Sequence, residues 1–253
     1  MEYEDHRPRV AALRRERMRS RLIEGALMRV ARHGVAATSI DDVISEVEVS
    51  RGTFYKYFDS PASLVAAVAE EVTNELMRLI DPVVLTHDDA VRRVATGVRL
   101  ALRLARRYPV VGAFVSRLGW PNLPPDQLVL VFLPRDLQLG MQQGKFARMD
   151  LSAALNLTIG AVMGGIYTLL RTNAAQDYPE QAAMTVLMGL GVERQLARKT
   201  AYANLKPVPI DGNGLLARTL DDSTSSKSTA VVNRLISTRT EHISASVQKL
   251  PKS

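Results

Sequence analysis

The sequence predicts an all-α protein, and three observations carry that prediction. Nearly every apolar repeat along the 253 residues has the three-to-four spacing of a helix. No pair of alternating apolar strands flanks a hairpin turn. Ser, Thr, Asp and Pro recur where helices would start. Apolar residues make up 46% of the chain, enough for a sizeable core, and no internal repeat divides it.

The elements follow in order. Residues 9–33 give a helix whose stripe is Val10, Leu13, Leu22, Ala26 and Val30, stopped by His33-Gly34. Thr38-Ser39 caps a short helix from Ile40 to about Val47, with Asp41 and Asp42 in the first turn, where the helix dipole favours acids. Ser50 caps a third short helix through Phe58. Ser60-Pro61 pairs a capping serine with proline at the first helical position and opens a helix to about Ile80. Asp88 to Arg107 has two faces. Val91, Val94, Val98, Ala101, Leu102 and Ala105 fall on one, while Arg92, Arg93, Arg99, Arg103, Arg106 and Arg107 form the other, which reads as a solvated face.

A helix over Val110–Leu118 precedes the loop W-P-N-L-P-P, Trp120 to Pro125. Residues 126–143 admit strand or helix, and the preferred reading is a helix kinked at Pro134. Asp150 caps an uncharged helix from Leu151 to Leu170, and Tyr178-Pro179 begins a last long one to about Tyr202. After Lys206, Pro, Gly and a D-D-S-T-S-S-K-S-T run predict irregular chain, with an amphipathic pattern of Val231, Leu235, Ile243, Val247 and Leu250 near the end.

Two short helices joined by a tight turn after a longer one make a helix-turn-helix unit. Its second helix, S-R-G-T-F-Y-K-Y-F, holds four aromatics and a Lys-Arg pair in a chain that is 5% aromatic. Phe54 and Phe58 share a face and pack with Ile40, Val43, Val47 and Val49 under Ile23 and Leu27. Arg51, Thr53, Tyr55, Lys56 and Tyr57 fall outward, and Gly52 lets the backbone approach a partner. Such a mixture of cations, phenols and small hydroxyls suits a DNA groove. The leading segment carries nine arginines, from Arg7 to Arg32, against Glu16 and Glu24, a balance of +7 (nine minus two). A basic arm beside a polar-aromatic helix is the footprint of a nucleic-acid binder, and the whole-chain charge of +7 agrees with a polyanionic partner.

T-S-I-D-D-V-I-S-E-V-E-V-S-R-G-T-F-Y-K-Y-F resembles the N-terminal signature of TetR-family transcriptional regulators, over roughly residues 12–65. D-L-x-x-G-x-x-x-G-x-F, Asp136 to Phe146, is a weaker echo of that family's C-terminal region. The resemblance implies a three-helix DNA-binding head on a larger helical body that binds ligand and dimerises. It divides the chain into a basic arm and head (1–60), a body (61–205) and a tail (206–253). It implies DNA contacts from Thr38, Ser39, Ser50, Arg51, Gly52, Thr53, Tyr55, Lys56 and Tyr57. It also implies a homodimer on a palindromic double-stranded operator, joined through about 151–171 and 179–200, with a small-molecule effector in the body. Phe114, Trp120, Met141, Asn156, Met163 and Tyr167 are pocket candidates. The expected role is a cytoplasmic, ligand-responsive repressor needing no cofactor or metal.

The family's usual Ala-Gly-Val turn reads Val47-Glu48-Val49 here, Ile44 stands where a small residue is common, and Pro61 replaces a frequent lysine. A positive φ at residue 48 would cost glutamate about 1 kcal/mol relative to glycine. These departures keep an alternative open, a helical interaction protein that has lost specific DNA binding. Other classes fare worse. The four histidines have no triad or metal spacing, neither G-M-Q-Q-G-K-F nor G-L-G-V-E-R has the spacing of a phosphate-binding loop, and there is no cysteine. Residues 151–170 are long enough to cross a bilayer, but Ser152, Asn156, Thr158 and Thr168 dilute them, and the helix reads instead as the middle of a helical protein.

Overall fold

The computed structural model describes residues 7–118, 127–208 and 214–224, all helix and connecting turns. The head is α1 (Arg7–His33), α2 (Ile40–Val47) and α3 (Arg51–Phe54). The body is α4 (Pro61–Val84), α5 (Ala90–Arg107), α6 (Pro109–Leu118), α7 (Val129–Gln142), α8 (Leu151–Arg171), α9 (Tyr178–Gly189), α10 (Arg194–Ala201) and α11 (Leu215–Thr224).

Local chemistry sets the starts. The Ser39 hydroxyl accepts the Asp42 N–H while the Asp42 carboxylate accepts the Ser39 N–H, a reciprocal cap. Ser60 and Ser63 repeat it ahead of Pro61. Asp150 accepts the Ser152 N–H at 2.8 Å and caps α8. Pro134 sits inside α7, which runs helical through it.

Four segments differ from the sequence reading. Helical geometry in α3 stops at Phe54 rather than Phe58, with single turns carrying the chain on through Tyr57 N–H to Phe54 C=O at 2.9 Å. Ser60 precedes a proline and must be extended (φ −160°, ψ 164°), so the chain has to leave the helix early. The last long helix is two, α9 and α10, divided at Gly191. Its φ is +90°, and a Cβ there would lie 2.8 Å from that of Ala147, whose N–H donates to Leu190 C=O at 2.8 Å. In the tail, where composition predicts irregular chain, Leu215–Thr224 form α11. The pattern from Val231 to Leu250 lies outside the described residues, as does Trp120. Finally, α8 is not buried all round: Ala154, Thr158, Ile159, Gly165 and Ile166 face inward, while Asn156, Leu157, Gly160, Gly164 and Tyr167 are exposed.

Two apolar cores result. One joins the head to α4, α6 and α11 through Leu22, Ile23, Leu27, Phe54, Leu64 and Phe114. The other surrounds α5 with α8, α9 and α10 through Val94, Val98, Leu102, Ile166, Leu187 and Leu190. The arginine side of α5 is not a solvated face. Arg99 is 4% exposed and donates to the Glu180 carboxylate at 3.1 Å, where Arg103 also arrives at 2.6 Å. Arg106 donates to the Ala175 and Gln176 carbonyls, and Arg93 to Asp136; only Arg92 and Arg107 are left exposed. Acids and carbonyls from distant segments fold onto these guanidiniums, which helix periodicity alone cannot show.

Candidate nucleic-acid interface and internal cavity

The head holds its second short helix by the apolar side. Phe54 is wholly buried and Phe58 nearly so, with ring centroids 6.1 Å apart, in the core formed with Ile23, Leu27, Val43 and Val47. α1 and α2 come close at Gly25, where a Cβ would meet Val47 Cγ2 at 2.3 Å, so no larger residue fits without movement. Glu48 ends α2 in the left-handed region, at φ 56° and ψ 50°. The turn therefore requires the conformation that favours glycine, and glutamate holds it at a cost of about 1 kcal/mol.

The opposite side of this unit faces solvent. Arg51, Gly52, Tyr55 and Lys56 are exposed, Tyr55 at 49%, while Tyr57 is half-buried against the core. Arg51 forks onto Asp41, its Nη2 lying 2.6 and 2.7 Å from the two carboxylate oxygens, and this hydrogen bond raises its affinity for its proton. The Ser50 hydroxyl caps α3 through the Thr53 N–H at 3.1 Å and shares a hydrogen bond with Thr53 Oγ1 at 2.9 Å. The Thr38 hydroxyl donates to Gly34 C=O at 2.8 Å. Hydrogen bonds from Ser39, followed by the charge of Arg29, hold Asp42 below the usual carboxylate range. A Cβ on Gly52 would meet nothing nearer than Ser50 Oγ at 3.9 Å, so the backbone there is open to close approach. Arg14, Arg15 and Met18 of α1 line a groove with Lys56 and Tyr57, placing the basic arm beside the same surface.

The body holds a partly open cavity of about 160 Å³ between α4, α5, α6, α7 and α8. Its walls are apolar: Leu76, Met77, Val98, Phe132, Ile159 and Met163 are representative. At one part of the wall lies a charged cluster. Arg93 reaches Asp136 Oδ1 at 3.1 Å; Arg135 meets Asp136 at 2.9 Å and Asp81 at 2.7 Å. The hydrogen bond to Asp136, then that to Asp81, raises the Arg135 pKa. Of the sequence's pocket candidates, Met163 lines this cavity. Phe114 is wholly buried in the head-side core, Met141 is half-buried in the other core, and Asn156 and Tyr167 sit on the exposed face of α8. The sequence reading missed Asp81, Arg93, Arg135 and Asp136. A signal was present, since Arg135-Asp136 is an ionic pair within an otherwise apolar run.

Residues 22–68 match the family model described as bacterial regulatory proteins, tetR family, and residues 89–202 match that of the tetracyclin repressor-like C-terminal domain. The chain belongs to the TetR family. It is a transcription regulator with a DNA-binding head and a ligand-binding body, and such regulators are not enzymes. A crystal structure of RolR in complex with resorcinol is 28% identical, with TM-score 0.63, covering 78% of this chain and 100% of that one. A TetR-family regulator from Marinobacter aquaeolei is 15% identical (TM-score 0.59, covering 70% and 98%). FadR from Bacillus subtilis in complex with stearoyl-CoA is 17% identical (TM-score 0.54, covering 67% and 96%). The last two share the fold alone. No curated protein matches the chain.

Proposed function

We propose that this TetR-family protein is an effector-released repressor that binds a palindromic operator as a homodimer. The observation that carries the reading is the two-sidedness of the second head helix: Phe54 is fully buried, while its neighbours Arg51, Gly52, Tyr55 and Lys56 are exposed to solvent on the opposite side. Arg51 and Tyr55 would read base edges, Gly52 and Thr53 would allow close approach, and Thr38, Ser39, Ser50, Lys56 and Tyr57 would hold phosphates. A site of action on DNA corresponds to a cytoplasmic location.

Dimerisation is supported by the outer face of α8 and α9. Leu157, Tyr167 and Met188 are exposed there, and a Cβ on Gly160 or Gly164 would meet nothing within 4 Å. An apolar face with two open glycines suits a two-fold partner helix at close range. Two heads then occupy major grooves about 34–36 Å apart.

The cavity supports effector binding. Its volume is close to that of an apolar site of about 150 Å³ known to take benzene. Asp81 and Asp136 supply carboxylate acceptors beside it. A one-ring molecule bearing hydroxyls matches both features, and resorcinol, the ligand in the RolR structure, is of that class. Such a ligand shifts the head only through unequal affinity for the DNA-bound and free arrangements.

The test is selection of duplex by the full chain from a random pool, then titration of the winner with and without resorcinol. A near-palindromic winner, binding that falls steeply with salt, and release by the diphenol are expected. No sequence-selective complex would favour the helical interaction protein; selective binding indifferent to hydroxylated one-ring compounds would remove the effector class alone.

A further inference from the structure

We infer that α11 is a strap that ties α1 of the head to α4 of the cavity wall and so limits how far the head can move. Its bearing on operator binding rests on the proposed function, but its structural half stands apart.

The helix α4 has two working sides. Thr73, Leu76, Met77 and Ile80 recur at three-to-four spacing and line the cavity. Glu71 and Glu75, four residues apart, lie on the side away from it. Arg19 of α1 pairs with Glu71. Glu75 accepts the first backbone N–H groups of α11, from Leu215 at 2.9 Å and Leu216 at 3.2 Å. Those N–H groups have no partner within their own helix, so Glu75 acts as a cap supplied from 140 residues away.

The rest of α11 reaches further. Leu215 and Leu216 are 3% and 0% exposed, packed into the core that α1, α4 and α6 share. Arg218 reaches back to Glu24 of α1, Nε to Oε1 at 2.5 Å. One ten-residue helix therefore holds α4 by its carboxylate and α1 by its arginine. Upstream, Arg103 of α5 donates to Leu205 C=O, and Leu205 and Val208 pack on the same core, so the approach to the strap is itself anchored. The Thr73–Ile80 wall and Glu75 belong to one helix, so the strap ties that wall to α1. Desolvation raises the Glu75 pKa, as expected for a carboxylate partly withdrawn from water between α4 and α11.

Weakening the strap destabilises the arrangement in which α11 bridges α1 and α4. The head then samples other positions more often, and operator affinity falls before any effector is added. In the full chain, Glu75→Ala with Arg218→Ala is expected to speed amide exchange in α4 and the middle of α1 about fivefold, the scale of a lost cap. It is also expected to weaken operator binding by a similar factor. Glu75→Gln keeps an acceptor and should restore most of both. A chain ending after Thr224 keeps α11 and should behave as the parent, whereas one ending after Val208 should behave as the double variant.

Unchanged exchange in α4 and α1 on removing Glu75 and Arg218 overturns the strap. Faster exchange with unchanged operator affinity overturns the restraint on the head and leaves a clip of purely structural value. If the parent binds no operator, the functional reading fails on its own, and the exchange experiment still decides whether α11 holds α1 to α4.

Discussion

Two arginine-rich helices, α1 and α5, look alike in sequence and have opposite fates. In α5, Arg93, Arg99, Arg103 and Arg106 turn inward onto Asp136, Glu180 and the carbonyls of Ala175 and Gln176. In α1 the guanidiniums divide along the length. Arg19, Arg29 and Arg32 pair with Glu71, Asp42 and Glu46 on neighbouring helices. Arg9, Arg14, Arg15 and Arg17, nearer the start of the helix, are exposed, and no described carboxylate pairs with them. An arginine becomes structural where distant chain delivers an acceptor and stays available where none arrives. The difference lies in what packs nearby, since one residue in three is arginine in both helices.

Removing a partner should break the comparison most strongly on the α5 side. Glu180→Ala strands Arg99 without its carboxylate, where burial already disfavours its charge. A loss of about 3–5 kcal/mol is expected in urea unfolding, the scale for an orphaned buried charge. Arg14→Ala with Arg15→Ala should leave stability within about 0.5 kcal/mol. The same pair should flatten the salt dependence of DNA binding by about one to two units of slope, equally for all sequences.

The recognition surface sharpens the contrast further. Arg51→Ala or Tyr55→Ala should cost about 1–3 kcal/mol of operator affinity while erasing discrimination at the bases they face, measured by competition among single-base variants. Arg51 is informative because it is an intermediate case, exposed yet held by Asp41. Asp41→Asn should free it and change affinity without unfolding the head.

Smaller effects test the turn and the strap. Glu48→Gly should stabilise the head by about 1 kcal/mol, read from the unfolding midpoint. Glu75 has the opposite sign from a salt-bridged acid. Its pKa is raised in the fold, so the stability linked to its protonation is complete below the ordinary glutamate range and is lost as pH rises through the raised value, while the hydrogen bonds to α11 remain. Glu75→Gln should abolish that drift in a pH series of unfolding curves. Asp42 runs the other way: its pKa is lowered, so its contribution is present above the ordinary aspartate range and fades only in stronger acid.

Although Tyr57, expected outward, packs half-buried against the core, the helical class, the capped starts at Ser39, Ser60 and Asp150, and the exposed Arg51, Tyr55 and Lys56 of the second head helix were legible in the sequence. These rest on interactions between residues a few positions apart, which spacing records directly. The sequence also flagged position 48, where glutamate stands in place of the family's turn glycine, and the structure shows that Glu48 does take a positive φ. Only the tertiary structure decided where α5's arginines go, that Gly191 splits the last helix against Ala147, and which pocket candidates meet the cavity. Asp81, Arg135, Asp136 and Arg93 come together from three helices, and α11 finds its cap on Glu75 far upstream. Such pairings depend on which faces end up opposed in space, and no local periodicity encodes the identity of a partner a hundred residues away.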